Sequence, residues 1–118
     1  MAAATEPPIL PDGSVVIVKE ECATCHAIES VLRQLDDLTT LTVYTQDDPR
    51  FPASPTPIHD ADLAVSWHHR IETVPTVVRV ADGVEVERTV GWSRSECERL
   101  TGIDCIGEDL RAMRPGCG

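Results

Sequence analysis

The sequence predicts an α/β fold with a central mixed sheet flanked by helices. A short, apolar, β-branched run from Val15 to Val18 indicates a strand covered on both faces. Helical periodicity follows it, with apolar residues at positions 28, 31, 32 and 35. The later stretch 84–90 alternates apolar and charged residues, which is typical of an exposed antiparallel strand. Both kinds of segment occur within 118 residues, a length that suits one mixed domain.

The first half of the chain predicts an arm followed by a strand–helix–strand unit. Residues 1–13 contain three prolines and a Pro-Asp-Gly turn signal, as an arm leading into a strand does. We expect the strand over 14–19, the helix over 22–37 and the second strand over 39–45. Four prolines between 47 and 59 then predict a stiff, extended loop that excludes a helix or a central strand. We interpret this loop as a plain connector; the alternative is a lip over an active site.

The second half predicts a helix, a hairpin and a capped helix, followed by a tail. Asp60 is the expected N-cap of a helix over 60–70. Ser93 and Glu96 form a capping-box pattern at the start of a helix over 93–100. The other expected elements are a strand over 77–80, a turn at Asp82-Gly83, a strand over 84–90 and a short helix over 108–113. This order divides the chain into an N-terminal arm (1–13), a domain (14–100) and a cysteine-containing tail (101–118).

Composition excludes several classes of function. Ten Lys and Arg against twenty Asp and Glu give a net charge of −10, and such a surface repels phosphate backbones. We therefore expect no nucleic-acid partner. No apolar run approaches the ~20 residues of a membrane span, and the first ten residues lack the features of a secretory signal. We expect a cytoplasmic protein with no membrane partner. In a reducing compartment, its five cysteines favour catalytic, metal-binding or free thiols over structural disulfides.

The most informative motif is a Cys-x-x-Cys pair, Cys22 and Cys25, at the junction of the first strand and helix. There the first sulfur lies beside free backbone N–H groups at the positive end of a helix dipole, which favours the nucleophilic thiolate. The motif therefore predicts a redox dithiol; the alternative is two buried, inert thiols. His26 shares a helix face with Cys22 and is a candidate pKa modulator, opposed by Glu20 and Glu21, or else a solvated surface histidine.

Three later segments resemble the thioredoxin superfamily. His69 to Thr76 resembles that family's I-x-x-[IV]-P-T approach to its cis-proline, Asp82 to Val86 resembles its hairpin, and Gly91 resembles the glycine that closes its last strand. Together with the Cys-x-x-Cys junction, these segments cover roughly residues 14–100. The resemblance implies a thioredoxin-like fold.

The resemblance also implies roles for individual residues. Cys22 would be the attacking sulfur and Cys25 the resolving one. Pro75 would follow a cis bond, which sets the Val74 backbone beside the motif to pair with a substrate backbone. The implied substrate-binding residues are Val74, Pro75, Gly91 and Trp92.

We therefore expect a thiol–disulfide oxidoreductase that needs no cofactor. Its substrate would be a protein or small-molecule disulfide, and its electrons would come from a reductase or a low-molecular-weight thiol. One alternative is an interaction module that uses the Pro75 groove without turnover. A less favoured one is a metal or iron–sulfur carrier. His68 and His69 could form a zinc site with the two cysteines and His26, but we interpret them as structural or surface residues. We predict no metal.

The remaining cysteines lie outside the family pattern. Cys97 fits a small buried apolar position on the last helix. Three interpretations of Cys105 and Cys117 are open. They are unconnected free thiols, they form a disulfide that clasps the tail, or they are accessory redox thiols that relay electrons to Cys22 and Cys25. We expect any such bridge to be absent or redox-switchable, because a cytosol keeps exposed thiols reduced.

Overall fold

The computed structural model describes residues 8–118 as a mixed α/β fold. A five-stranded sheet and four α-helices make up most of it, with a separate two-stranded sheet. The first seven residues of the predicted arm lie outside the described residues. The elements are β1 (Gly13–Val18), α1 (Ala23–Ala27), α2 (Glu29–Leu38), β2 (Leu41–Thr45), β3 (Ile58–His59), a 3-10 turn (Ala61–Leu63), α3 (Ala64–His68), β4 (Thr76–Ala81), β5 (Val84–Val90), β6 (Trp92–Ser93), α4 (Arg94–Thr101) and β7 (Met113–Arg114).

The main sheet has the strand order β3-β2-β1-β4-β5. β1 pairs in parallel with β2 and antiparallel with β4, so that Val16 lies opposite both Val43 and Val77. Val15 to Val18 are all 0 % exposed, as the prediction of a strand covered on both faces requires. β1 thus lies at the centre of the core. The residues that follow β1 lie at the edge of the sheet where the parallel strands β1 and β2 both end.

The predicted helix over 22–37 is two helices joined at Ile28. Ile28 leaves helical geometry, with φ −95° and ψ 12°, although its N–H still donates to Thr24 and its carbonyl accepts from Leu32. The backbone hydrogen bonds continue across the bend. The side-chain period is therefore nearly preserved, and no local pattern in the sequence indicates the break.

The region between β2 and β4 differs from the prediction at two points. The proline-rich loop ends in β3, a two-residue edge strand that pairs with β2. The helix expected over 60–70 is a 3-10 turn followed by the short α3. Asp60 still caps a helix, but its carboxylate accepts from the N–H groups of Val65 and Ser66, at 2.8 and 2.9 Å, and so caps α3 rather than the preceding turn.

The hairpin and last helix agree with the sequence. Asp82 and Gly83 both have positive φ, 54° and 75°, as a tight turn between paired strands requires. Ser93 accepts a hydrogen bond from the Glu96 N–H at 3.3 Å and so begins α4, which packs against β4 and β5.

The tail is part of the packed structure and contains no helix over 108–113, contrary to the prediction. The structure instead forms β7, which pairs antiparallel with β6. Ile106 is 0 % exposed and belongs to the core. Burial of Ile106 and pairing with β6 fix the tail through long-range contacts, which local periodicity cannot indicate.

Candidate functional site

Cys22 is the N-cap of α1. Its backbone is extended, with φ −153° and ψ 111°, and its sulfur accepts a hydrogen bond from the Cys25 N–H at 3.2 Å. This is the geometry in which an N-cap side chain satisfies a free helix donor. Cys22 is 4 % exposed, whereas Cys25, one turn further along, is 0 % exposed. The two cysteines therefore lie together, with Cys22 on the outer side.

Asp47 holds the turn that leads into Cys22. Its carboxylate oxygens accept from the N–H groups of Glu20 at 2.7 Å and Glu21 at 3.1 Å. Burial raises the pKa of Asp47, but these backbone hydrogen bonds and one from Asp48 outweigh it and lower the pKa. Asp47 was not singled out from the sequence. One pattern could have indicated it. The first two strands are expected to pair in parallel, and parallel pairing brings the residues that follow both strands to the same edge of the sheet.

The two thiols of the motif differ in acidity. Burial raises the pKa of Cys22, but hydrogen bonds from the thiols of Cys117 and Cys25 and from backbone N–H groups outweigh burial and lower the pKa. Burial raises the pKa of Cys25, and the hydrogen bond with Cys22 raises it further. Cys22 is therefore the more acidic thiol of the pair.

The loop before β4 lies against Cys22. The Val74–Pro75 peptide is cis, as expected from the sequence. The Cys22 sulfur lies 3.6 Å from the Val74 carbonyl oxygen, and the Pro75 carbonyl accepts from the Gly91 N–H at 2.8 Å. Both of Val74's backbone polar groups remain free of the main sheet, and a partner strand can pair with them.

That partner is the tail of the same chain. Cys117 and Val74 form an antiparallel bridge in which the Cys117 N–H donates to Val74 at 2.7 Å and the Val74 N–H donates to Cys117 at 2.8 Å. This pairing brings Cys117 to the residue whose carbonyl oxygen lies 3.6 Å from the Cys22 sulfur. The structure thus assembles a third cysteine at the Cys-x-x-Cys pair. We call residues 113–118 the tail segment.

Two glycines allow the tail segment to approach this closely. A Cβ atom added to Gly116 would lie 2.5 Å from Thr73 Cγ2 and 2.7 Å from the Val74 carbonyl oxygen. A Cβ atom on Gly91 would lie 3.0 Å from both the Arg114 carbonyl oxygen and the Gly116 nitrogen. Gly91 also has φ +75°, which side chains rarely adopt. The space that the resemblance attributes to Gly91 is therefore filled by the tail segment.

Polar contacts anchor the tail segment on the side of α1. The Thr24 hydroxyl donates to the Pro115 carbonyl at 2.6 Å and accepts from Arg114 Nε at 3.1 Å. Lys19 Nζ donates to the Gly118 carbonyl at 2.7 Å. Thr24 lies between the two cysteines of the motif, so a residue of the motif itself binds the tail segment. Thr24 and Lys19 were not singled out from the sequence.

Trp92 is buried and donates a hydrogen bond to the tail. It is 4 % exposed, and its Nε1 donates to the Arg111 carbonyl at 2.7 Å. The guanidinium of Arg94 donates to the carbonyls of Gly107 and Leu110. These bonds fix the chain that leads into the tail segment, and Trp92 contacts the tail. Its direct contact with a substrate stays a prediction.

His26 is engaged with carboxylates. Its Nε2 lies 2.8 Å from the Glu20 carbonyl and 3.3 Å from the Glu20 carboxylate, and its Nδ1 lies 3.5 Å from Glu29. Burial lowers the pKa of His26, but the contacts with Glu20 and Glu29 outweigh it and raise the pKa. Its ring also packs on Phe51, with centroids 4.5 Å apart. The modulating role of His26 toward Cys22 stays a prediction.

The other cysteines lie elsewhere, and all five are free thiols. Cys97 is 2 % exposed, and burial together with the charge of Glu98 raises its pKa to about 12, as suits a buried apolar position. Cys105 is exposed, with its N–H bonded to Glu98, and the charge of Glu108 raises the pKa of its thiol. The structure thus brings Cys117, but not Cys105, to Cys22.

A groove of about 360 Å³ continues from the tail segment. Its walls are largely apolar and include Leu63, Trp67, Ile71, Val74 and Cys117. Trp67 is 79 % exposed, which is unusual for so large an apolar side chain. The groove therefore offers apolar contact area directly beside the Val74 backbone.

Comparison with known proteins returned no match to a family model, and no significantly similar curated protein or solved structure. Within residues 8–118, no group of three or more His, Cys, Asp or Glu side chains has the arrangement of a metal site. In the same part of the chain, no helix has the length and apolar character needed to cross a membrane.

Proposed function

We propose that this protein is a thiol–disulfide oxidoreductase of the thioredoxin-like class, acting through Cys22 and Cys25. One observation carries the proposal: the Cys22 sulfur, whose pKa is lowered, lies 3.6 Å from the carbonyl of Val74, the residue before a cis-proline. An acidic thiol beside backbone groups that lie outside the main sheet can attack a disulfide while those groups hold the substrate strand.

The arrangement of elements supports this class. β1 lies between parallel β2 and antiparallel β4, and the Cys-x-x-Cys pair follows β1 directly. The cis-proline precedes β4, the next strand of the sheet, which brings it to the same edge. These relations are those that the sequence resemblance implies for the motif and Pro75.

In the first step, the Cys22 thiolate attacks one sulfur of a substrate disulfide. A bond forms between Cys22 and that sulfur, the substrate S–S bond breaks, and the other sulfur leaves as a thiolate. The Cys25 N–H, 3.2 Å from the Cys22 sulfur, stabilises the attacking thiolate. The product is a mixed disulfide between Cys22 and the substrate.

In the second step, Cys25 resolves the mixed disulfide. Its thiol gives its proton to solvent or to the departing thiolate, and its sulfur attacks Cys22. The substrate leaves as its second thiolate, and the protein holds a Cys22–Cys25 disulfide after transferring two electrons. Before the attack, burial and the neighbouring Cys22 raise the pKa of Cys25; once Cys22 is in a disulfide, the contribution of Cys22 is gone and Cys25 ionises more easily.

The proposal is tested by the reduction of insulin disulfides with dithiothreitol as the electron source. We expect wild-type protein to accelerate the reaction and Cys22→Ser to return it to the uncatalysed rate. Cys105→Ser removes one exposed thiol that contacts Glu108 instead of Cys22, and it serves as the matched control. Equal rates for wild type and Cys22→Ser would contradict the proposal.

One observation favours a second candidate, an interaction module without turnover. Cys22 is only 4 % exposed, and the Val74 backbone is already paired. A protein that only binds partners does not need an accessible sulfur. The insulin assay separates the two, because a binding module gives no acceleration with or without Cys22.

A further inference from the structure

We propose that the tail segment is a built-in substrate strand, and that its Cys117 forms a disulfide with Cys22. The inference rests on the proposed function and adds to it an internal redox partner and a means of closing the active site. It is carried by the backbone pairing of Cys117 with Val74 and by the 3.6 Å approach of the Cys22 sulfur to the carbonyl oxygen of that same Val74.

The backbone of the tail segment takes the place that a substrate strand would take. Val74 can offer one N–H and one carbonyl to a partner, and Cys117 occupies both. The bridge also sets the register, so that a cysteine, and not Gly116 or Gly118, stands opposite Val74 and beside Cys22. An external disulfide-bearing strand would need to present its own cysteine at this same position.

The docked tail also closes the site. Cys22 is 4 % exposed, yet an attacking sulfur must reach an external disulfide in line. Access therefore requires the tail segment to leave, which breaks its hydrogen bonds to Val74, Thr24 and Lys19. External substrates and the tail segment compete for one place.

The Cys22–Cys117 disulfide forms by thiol–disulfide exchange on a mixed disulfide between Cys22 and a small thiol. With Cys22 joined to a small thiol, the Cys117 thiolate attacks the Cys22 sulfur, and the Cys22–Cys117 bond forms as the small thiol leaves as a thiolate. The proton lost by Cys117 is taken up by solvent or by that leaving group. The two electrons lost by Cys22 and Cys117 reside on the two thiols produced from the external low-molecular-weight disulfide. Cys25 can then attack Cys22 and release Cys117.

Cys117 is better placed for this exchange than the other cysteines of the tail and α4. Cys105 has its carbonyl bonded to Gln34 and its thiol beside Glu108, away from Cys22. Cys97 is buried in the core. Cys117 is half-buried and pairs with Val74, whose carbonyl oxygen lies 3.6 Å from the Cys22 sulfur.

The test uses the full chain and oxidised glutathione as the external disulfide. Trypsin separates the relevant cysteines, because Cys22 falls in peptide 20–33, Cys105 in 100–111 and Cys117 in 112–118. Cys25→Ala leaves Cys22 as the one cysteine of its peptide. After reaction and acid quenching, non-reducing mass spectrometry of Cys25→Ala should find peptide 20–33 linked to 112–118.

Two double variants complete the design. Cys25→Ala with Cys117→Ser should lose the link and carry glutathione on Cys22, whereas Cys25→Ala with Cys105→Ser should keep the link. Equal glutathione on Cys22 with and without Cys117, or a link between 100–111 and 112–118, would overturn the inference. Wild-type protein is mapped in parallel, so that a folding defect of a variant does not decide the result.

Insulin reduction by the same wild-type preparation separates the two proposals. Turnover without the 20–33 to 112–118 link overturns the tail inference and leaves the oxidoreductase standing. The link without turnover contradicts the oxidoreductase, and unmodified Cys22 in every variant overturns both.

Discussion

Cys117 and Val74 exchange two backbone hydrogen bonds, at 2.7 and 2.8 Å, across a distance of more than forty residues in the sequence. This pair brings the tail of the chain to the Cys22 sulfur and fills the place next to the cis-proline. The candidate site is therefore built from three parts of the chain: the start of α1, the loop before β4 and the tail segment. Its accessibility depends on whether that pair is made or broken.

Cys22 should react before Cys25 with an alkylating agent. Its pKa is lowered and that of Cys25 is raised by burial, so the Cys22 thiolate forms first as pH rises. Limiting iodoacetamide on reduced protein, followed by peptide mapping, should label Cys22 first, with a pH midpoint below the ordinary thiol value of 9.0. Cys97, with a pKa of about 12, is the internal control and should stay unlabelled. Earlier labelling of Cys25 would reverse the assigned roles.

Gly116→Ala should open the site without changing a cysteine. The added methyl would lie 2.7 Å from the Val74 carbonyl oxygen, so the tail segment cannot dock as it does now. Overpacking of this kind costs on the order of 1–3 kcal/mol, and the alkylation of Cys22 should accelerate by about tenfold. Gly118→Ala is the matched control, since an added methyl there meets nothing within 4 Å. Equal rates in both variants would mean that the tail does not shield Cys22.

Ile106→Ala should destabilise the fold as a core substitution does. Ile106 is 0 % exposed, although it lies in the stretch that the sequence assigns to a tail. Loss of its side chain should lower the free energy of unfolding by about 2–5 kcal/mol in urea titrations. Ile9→Ala removes the same group from a position that is 80 % exposed and should change stability by less than about 0.5 kcal/mol. Similar values for the two variants would show that residues 101–118 do not share the core.

Asp47→Asn should remove a pH-dependent part of the stability. The folded-state pKa of Asp47 is lowered by backbone hydrogen bonds, so its contribution is present above the ordinary value of 3.8 and is lost as pH falls through the lower folded value. The melting temperature of Asp47→Asn should therefore lie below that of wild type at pH 7, and the difference should shrink in acid. Asp37→Asn, on the exposed end of α2, is the control. A difference that does not vary with pH would contradict the role of the Asp47 charge.

Local patterns were sufficient to predict most of the sheet and the capped last helix. Three patterns can each be recognised within a few consecutive residues: the β-branched run 15–18, the alternation over 84–90 and the Ser93–Glu96 box. The bend at Ile28 was missed because the hydrogen bonds and the apolar period continue through it. The helix expected over 60–70 was wrong because the Asp60 carboxylate caps residues five and six positions on.

The site was predictable only in part. Motif and resemblance singled out Cys22, Cys25, Val74 and Pro75, which the structure brings together. Cys117 was named only as one alternative, an accessory redox thiol together with Cys105, because its place depends on the Val74 backbone and on Gly116 packing against Thr73. Such pairing between distant segments leaves no periodic signal in either one.

An equilibrium redox titration of the protein in glutathione and dithiothreitol buffers tests the proposed dithiol chemistry most directly. Disulfide content is followed by acid quenching, alkylation of the remaining thiols and mass spectrometry. We expect one two-electron transition with a midpoint between about −120 and −270 mV, the range of Cys-x-x-Cys oxidoreductases, and its loss in Cys22→Ser. A Cys22 thiol that stays reduced at every potential in this range, or a transition that survives in Cys22→Ser, would contradict the central claim.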